Sequence, residues 1–183
     1  ILSGTSTTTF NRIQINSGAT FTGKLSDNFN VLSNWVNNGE FSHNSGTVTF
    51  DGNTLIGGTQ ITDFGNVVIN ENSQLTSPAE DSIRVALNFT NDGTFNSNGG
   101  TVVFNGSVQV IGGNSSTEFE NIRVADGSSS SVSGADQTLR GVLLCDGTLS
   151  ANNKLTLLST PVQTALVDGT GNGDISGNLV IQR

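Results

Sequence analysis

Gly46-Thr47-Val48-Thr49-Phe50-Asp51-Gly52 returns as Gly100-Thr101-Val102-Val103-Phe104-Asn105-Gly106, an offset of 54 residues. The match extends outward from both copies. Val36-Asn37-Asn38-Gly39-Glu40-Phe41 reappears at the same offset as Thr90-Asn91-Asp92-Gly93-Thr94-Phe95, and less closely as Cys145-Asp146-Gly147-Thr148-Leu149. Trp35 becomes Phe89 and then Leu143; Val31 becomes Val85 and then Leu139. The third copy of the opening stretch is Lys154-Leu155-Thr156-Leu157-Leu158, slipped by one residue. Downstream, Ile56-Gly57-Gly58-Thr59, Phe64 and Asn66-Val67-Val68-Ile69 recur as Ile111-Gly112-Gly113-Asn114, Phe119 and Asn121-Ile122-Arg123-Val124. An earlier copy reads Leu2-Ser3-Gly4-Thr5, Phe10 and Ile13-Gln14-Ile15. A fixed period of this length marks a repeat architecture, in which each unit buries its apolar surface against its neighbours. The sequence predicts one continuous segment over 1–183, with units near 1–54, 55–109 and 110–163 and a partial closing unit at 164–183.

Within a unit the apolar residues alternate, as in Phe41, Val48 and Phe50. Period two is the signature of half-buried strands. Gly, Asn, Asp and Ser separate the runs, and these residues tolerate the backbone angles of tight corners. Asn38-Gly39 and Asn105-Gly106 are turn signals that fit a corner or a hairpin. Helix signals are weak. The best, Ser77 to Leu87 with Pro78 near its start, reads as a loop entering a strand, because Val85 aligns with Val31 and Leu139. A β-propeller of about 50-residue blades would need more units to close, and an immunoglobulin-like sandwich needs about 100 residues. The predicted fold is therefore all-β, a parallel β-solenoid (β-helix) built from 54-residue repeats. Turns of about 18 or 27 residues would place three or two in each unit. On that expectation Phe10, Phe64 and Phe119 stack as one interior ladder, with Trp35 over Phe89, Phe41 over Phe95 and Phe50 over Phe104.

Composition excludes several functions. The chain carries 7 Lys+Arg against 15 Asp+Glu, a net charge of -8. Its basic residues, Arg12, Lys24, Arg84, Arg123, Arg140, Lys154 and Arg183, are scattered along the sequence without a cluster. Nucleic acid and anionic lipid both require a basic stripe, so no nucleic-acid partner is expected. No apolar run approaches the roughly 20 residues of a membrane span, so no membrane insertion is expected. Cys145 is the only cysteine, which rules out an intrachain disulfide and reads as a small buried hydrophobe.

The run from Gly100 to Gly106, a Gln, Val110-Ile111-Gly112-Gly113, a polar Thr/Ser stretch and Phe119-Glu120-Asn121-Ile122 together form a recognisable pattern. It resembles the repeat regions of very large cell-surface and secreted proteins of Bacteroidota, adhesin-like proteins many of which are cargo of type IX secretion. The end of the chain, from Lys154 to Ser159, Ala165 to Asp168 and Ile175 to Arg183, looks like the segment that closes such arrays. The resemblance covers essentially the whole chain and carries architecture rather than catalytic residues. It implies an extracellular or cell-surface location. Asp81-Ser82-Ile83 likewise resembles the short O-glycosylation acceptor motif of Bacteroidota. Ile1 enters mid-unit and the chain stops on Leu179-Val180-Ile181, so we expect a segment of a longer protein.

Individual residues offer little chemistry. His43, the only histidine, lies between two strands and becomes Ser97 in the next unit, as a solvated loop residue would. Trp35, a candidate for stacking on a sugar, occupies a repeated core position. Thr7-Thr8-Thr9 and Thr47-Val48-Thr49 hint at an ice-binding array that later copies do not maintain. A solenoid enzyme acting on acidic polysaccharide would need clustered basic residues or an insertion forming a cleft wall. The richest turn is Asp168-Gly169-Thr170-Gly171-Asn172-Gly173-Asp174, where Asp168 and Asp174 are the candidate metal ligands. Calcium is the one cofactor left open, although it wants six to eight oxygens. The sequence thus predicts a non-catalytic structural or adhesive module. Its expected partners are other copies or neighbouring repeats of the same protein, and glycans or surfaces. The alternative is a polysaccharide-active or glycan-binding β-helix protein.

Overall fold

The computed structural model describes residues 7–23 and 28–182. Leu2-Ser3-Gly4-Thr5, Lys24 and Arg183 lie outside the described residues. The described chain is all strand and turn, wound into a parallel β-solenoid. The first turn comprises β1 (Thr8–Phe10), β2 (Ile13–Ile15) and β3 (Thr20–Thr22). The second comprises β4 (Asn28–Val31), β5 (Trp35–Asn37) and β6 (Glu40–Ser42), and the third β7 (Thr47–Phe50), β8 (Asn53–Gly58) and β9 (Thr62–Phe64). Then follow β10 (Asn66–Ile69), β11 (Gln74–Thr76) and β12 (Ser82–Val85), and β13 (Phe89–Asn91), β14 (Thr94–Asn96) and β15 (Thr101–Phe104). The sixth turn holds β16 (Gln109–Gly112), β17 (Glu118–Phe119) and β18 (Asn121–Val124). The seventh holds β19 (Ser129–Val132), β20 (Gln137–Leu139) and β21 (Val142–Cys145). The eighth holds β22 (Thr148–Ser150), β23 (Leu155–Leu157) and β24 (Leu166–Val167), before β25 (Asp174–Ser176) and β26 (Val180–Ile181).

Every third strand pairs, which gives three faces. The first is a continuous nine-stranded sheet, β1-β4-β7-β10-β13-β16-β19-β22-β25. The second carries β2-β5-β8-β11-β14 and then β17-β20-β23-β26; the third carries β3-β6 and then β9-β12-β15-β18-β21-β24. Eight strand spacings along the first face amount to about 38 Å. Partners such as Thr47 and Asn66, or Val67 and Phe89, set a turn of roughly 20 residues. The last turn is longer, with Thr148 paired to Asp174 and an antiparallel bridge between Ser159 and Thr164 in the extra length.

This turn length corrects the expectation of 18 or 27 residues. A 54-residue unit contains eight strands, and eight is not a multiple of three. Each unit therefore ends two and two-thirds turns on, with its copy shifted to another face. Trp35 stands on β5 of the second face, Phe89 on β13 of the first and Leu143 on β21 of the third. Phe10, Phe64 and Phe119 are likewise on three different faces, so the expected ladders of equivalent residues do not exist. Residues in register are instead non-equivalent, as in Phe64, Val85, Phe104, Val124 and Cys145 on the third face.

The unit preserves local packing rather than vertical stacking. Trp35, Phe41 and Phe64 form a cluster with ring centroids 4.8, 5.1 and 5.9 Å apart. Their counterparts Phe89, Phe95 and Phe119 form the same cluster, at 5.4, 5.7 and 5.8 Å, rotated by one face. Corners repeat as well. Asn44, Asn98 and Asn152 adopt φ of 49°, 48° and 53°. Each donates its amide to the turn below, to Gly23 O, Ser77 O and Val132 O. The Asn-Gly pair at Asn38-Gly39 closes no hairpin; it forms a corner between β5 and β6, which run along adjacent faces. The Ser77–Leu87 stretch is a loop leading into β12, as its alignment with strands requires.

Candidate functional site

The third face carries a cleft. Its strands alternate strictly, so Ile83 and Val85, Val102 and Phe104, and Ile122 and Val124 point inward and are buried. The residues between them point outward and align by register. One outward row runs Asp63, Arg84, Val103, Arg123, Leu144, and a parallel one runs Ser82, Thr101, Asn121. Val103 is short where its neighbours on both sides are arginines, and the depression so formed belongs to a cleft of about 650 Å³. Ile61, Val142 and Leu144 add apolar wall; Asn105 and Asp168 add polar edge.

The acids around this cleft are engaged. Asp146 Oδ2 accepts hydrogen bonds from Arg123 Nε and Nη2 at 3.1 and 2.9 Å. Asp63 accepts from Asn105 Nδ2 at 3.2 Å. Asp168 Oδ1 accepts from the Thr170 backbone N–H at 2.9 Å and hydroxyl at 2.8 Å, which holds its carboxyl below the usual carboxylate range. The Arg84 side chain is exposed and has no hydrogen-bond or ion-pair partner among the described residues. Asn121 Oδ1 is fixed by the Val142 backbone N–H at 2.9 Å.

Arg84 and Arg123 stand in one outward row with Val103 between them, and the Arg123 side chain is turned to Asp146 in the turn beyond. They are separated by one turn to Val103 and one more to Arg123. That spacing carries no signal until the turn length is known.

The two acidic turn residues fare differently. Asp168 lines the third-face cleft, whereas Asp174 lines a second one with Asp126 and Asp146 at the corner leading to the first face. They do not share a cleft, and the Asp168 oxygen facing its loop is occupied by Thr170. Among the described residues no group of three or more His, Cys, Asp or Glu is placed to hold a metal ion. His43 is half-buried at a corner, where its Nδ1 accepts the Ser45 backbone N–H at 3.0 Å. Trp35 is fully buried and donates from Nε1 to Thr62 Oγ1 at 3.1 Å, so it is unavailable to a ligand. Cys145 is buried, and burial followed by the charges of Asp146 and Asp174 pushes its thiol pKa up. Ser82 of the Asp81-Ser82-Ile83 stretch opens the outward row of the third face, its N–H held by Asp81 Oδ1 at 2.7 Å. No protein-family model matches the chain, and no curated protein or solved structure shows significant similarity to it.

Proposed function

We propose that this chain is a non-catalytic structural and adhesive repeat module of a large extracellular surface or filament protein. The observation that carries this reading is what the repeat preserves. From one unit to the next it copies the aromatic cluster, the left-handed asparagine corners and the buried Asn–Thr pairs, Asn37 with Thr62 and Asn91 with Thr117. All of these hold one turn onto the next. The outward positions of the cleft are not copied: Arg84 corresponds to Asn30 and Thr138, and Arg123 to Val68. Selection of this kind favours a rod whose length and stiffness matter. Its partners are neighbouring repeats or further copies, which extend the parallel ladders, and glycans or surfaces met along its sides. The second reading, a glycan-binding β-helix protein, is favoured by the third-face cleft.

The test is to attach the chain to beads, measure their retention on surfaces bearing acidic or neutral polysaccharides, and assay the same wells for released reducing ends. Retention without release is expected. Measurable turnover, abolished by changing one or two cleft residues, would overturn the module reading.

A further inference from the structure

We infer that the first face binds ice, its rows of short hydroxyl and amide side chains meeting an ordered layer of water. This rests on the module reading, in which surfaces are met along the sides of the rod, and names one such surface. The winding is the first argument. Repeat counterparts are the wrong ruler for an array, because Thr101 and Val103, the copies of Thr47 and Thr49, stand on the third face. Read by strand register, one outward row of the first face runs Thr9, Asn30, Thr49, Val68, Thr90, Gly112. The row beside it runs from Asn28 through Val110 to Ser176, with a hydroxyl or amide at every step except Val110. Steps within a row are about 4.8 Å, and the two rows lie about 6.6 Å apart. A net of that size is on the scale of the oxygen spacings on the prism faces of ice.

The chemistry of the face chooses between extended partners. In a chain of net charge -8, the nine strands hold one charged residue among those described, Asp174 in the last strand. A charged side chain orients its own hydration shell and interrupts a water lattice; a short hydroxyl or methyl does not. The second face, by contrast, is broken between β14 and β17 and flanked by the ion pairs Arg140–Glu118 and Lys154–Asp136. A neutral crystalline polysaccharide calls for aromatic platforms, and none is available here: all ten phenylalanines and Trp35 lie in the core or pack against it. The array is also held rigid. Asn66 Oδ1 accepts the Asn88 N–H at 3.1 Å, and Asn88 Oδ1 accepts the Val110 N–H at 2.9 Å, so successive amides are fixed one turn apart. β-Branching restricts the rotamers of Thr9, Thr49 and Thr90.

The experiment is to freeze solutions of the chain, follow crystal shape and recrystallisation under the microscope, and measure adsorption to microcrystalline cellulose beside it. Faceted crystals and recrystallisation slowed severalfold are expected, without adsorption to cellulose. Thr49→Lys and Thr90→Lys place a strongly hydrated charge in mid-row and should each remove most of the effect. Thr156→Lys, an equally half-buried outward position on the second face, should leave it unchanged. Circular dichroism establishes that each variant is folded, and Thr90→Lys serves where Thr49→Lys is not. Round crystals and unslowed recrystallisation with the unmodified chain overturn the inference while leaving the module reading intact, since bead retention on polysaccharide surfaces tests that reading separately. So does an effect that survives both first-face Lys variants, or one lost equally in Thr156→Lys. Adsorption to cellulose that Thr49→Lys abolishes, in place of any effect on ice, assigns the face to a neutral glycan and overturns it as well.

Discussion

Gly58 lies directly over Asn37: a Cβ on Gly58 would stand 2.0 Å from the Asn37 carbonyl oxygen, and its φ of +118° is one that L side chains rarely adopt. Gly113 stands in the same way over Asn91, with φ of +120° and a distance of 2.1 Å. This explains the second glycine of the Ile-Gly-Gly motif. It lets one turn settle onto the backbone of the turn below, where the Asn37 and Asn91 carbonyls accept the N–H groups of Gln60 and Ser115.

Gly58→Ala and Gly113→Ala should therefore each destabilise the fold by about 2–3 kcal/mol, from backbone strain and displaced turns. Gly57 is the control, since a Cβ there meets nothing within 4 Å. Gly57→Ala should shift the urea midpoint little or raise it. Equal losses at Gly57 and Gly58 would contradict this account.

The buried pair Asn91 and Thr117 provides a second test. Asn91 donates to Thr117 Oγ1 at 3.1 Å and accepts the Gly93 N–H at 3.1 Å, with the side chain closed off from solvent. Asn91→Ala should cost about 1–3 kcal/mol by leaving buried groups unpaired. A double-mutant cycle with Thr117→Val should show a coupling of about 1 kcal/mol. Strict additivity would mean that the hydrogen bond contributes nothing.

Aromatic truncation reads the core. Phe104 is fully buried between Val85 and Val124, and Phe104→Ala should cost about 3–5 kcal/mol. Phe95→Ala belongs in the same range, whereas half-buried Phe10 should cost less. A melting curve unchanged by Phe95→Ala would place that residue outside the core.

Cys145 sets an alkaline limit. Its thiol is harder to ionise in the folded protein than in the unfolded chain, chiefly because it is buried. The unfolded state therefore loses this proton first as pH rises through the ordinary thiol range near about 8.5, and the native state loses stability from there upward. The chain has no tyrosine to mask the effect. Wild type should lose more stability between neutral pH and pH of about 9.5 than Cys145→Ala, measured by urea denaturation. Identical losses would remove the thiol from the account. Alkylation of Cys145 should also be slow until the protein unfolds.

Much of this was legible in the residues, and its limits are specific. Burial followed from alternation: Phe41, Phe50, Phe64, Phe89, Phe95, Phe104 and Phe119 are all in the core. So did the strand content and the parallel solenoid class. The cleft was not legible, because Arg84, Val103 and Arg123 become neighbours only through turns of about 20 residues, and no motif announces them. Asp168 and Asp174 looked like partners because they flank one glycine-rich loop. The loop carries the chain from the third face to the first, and leaves them lining different clefts.

The sequence by itself determined that residues of one unit meet the same local surroundings in the next, since alternation, corner chemistry and the aromatic cluster depend on neighbours close along the chain. Which residues lie above one another was decided only by the tertiary structure. Stacking depends on how many strands close a turn, and a period of eight strands on a three-sided coil moves every copy to a new face. Trp35 and Phe89 are equivalent in the repeat and buried alike, yet they face the axis from different sides. Arg84 and Arg123 are equivalent in nothing, and the winding sets them in one row on either side of Val103.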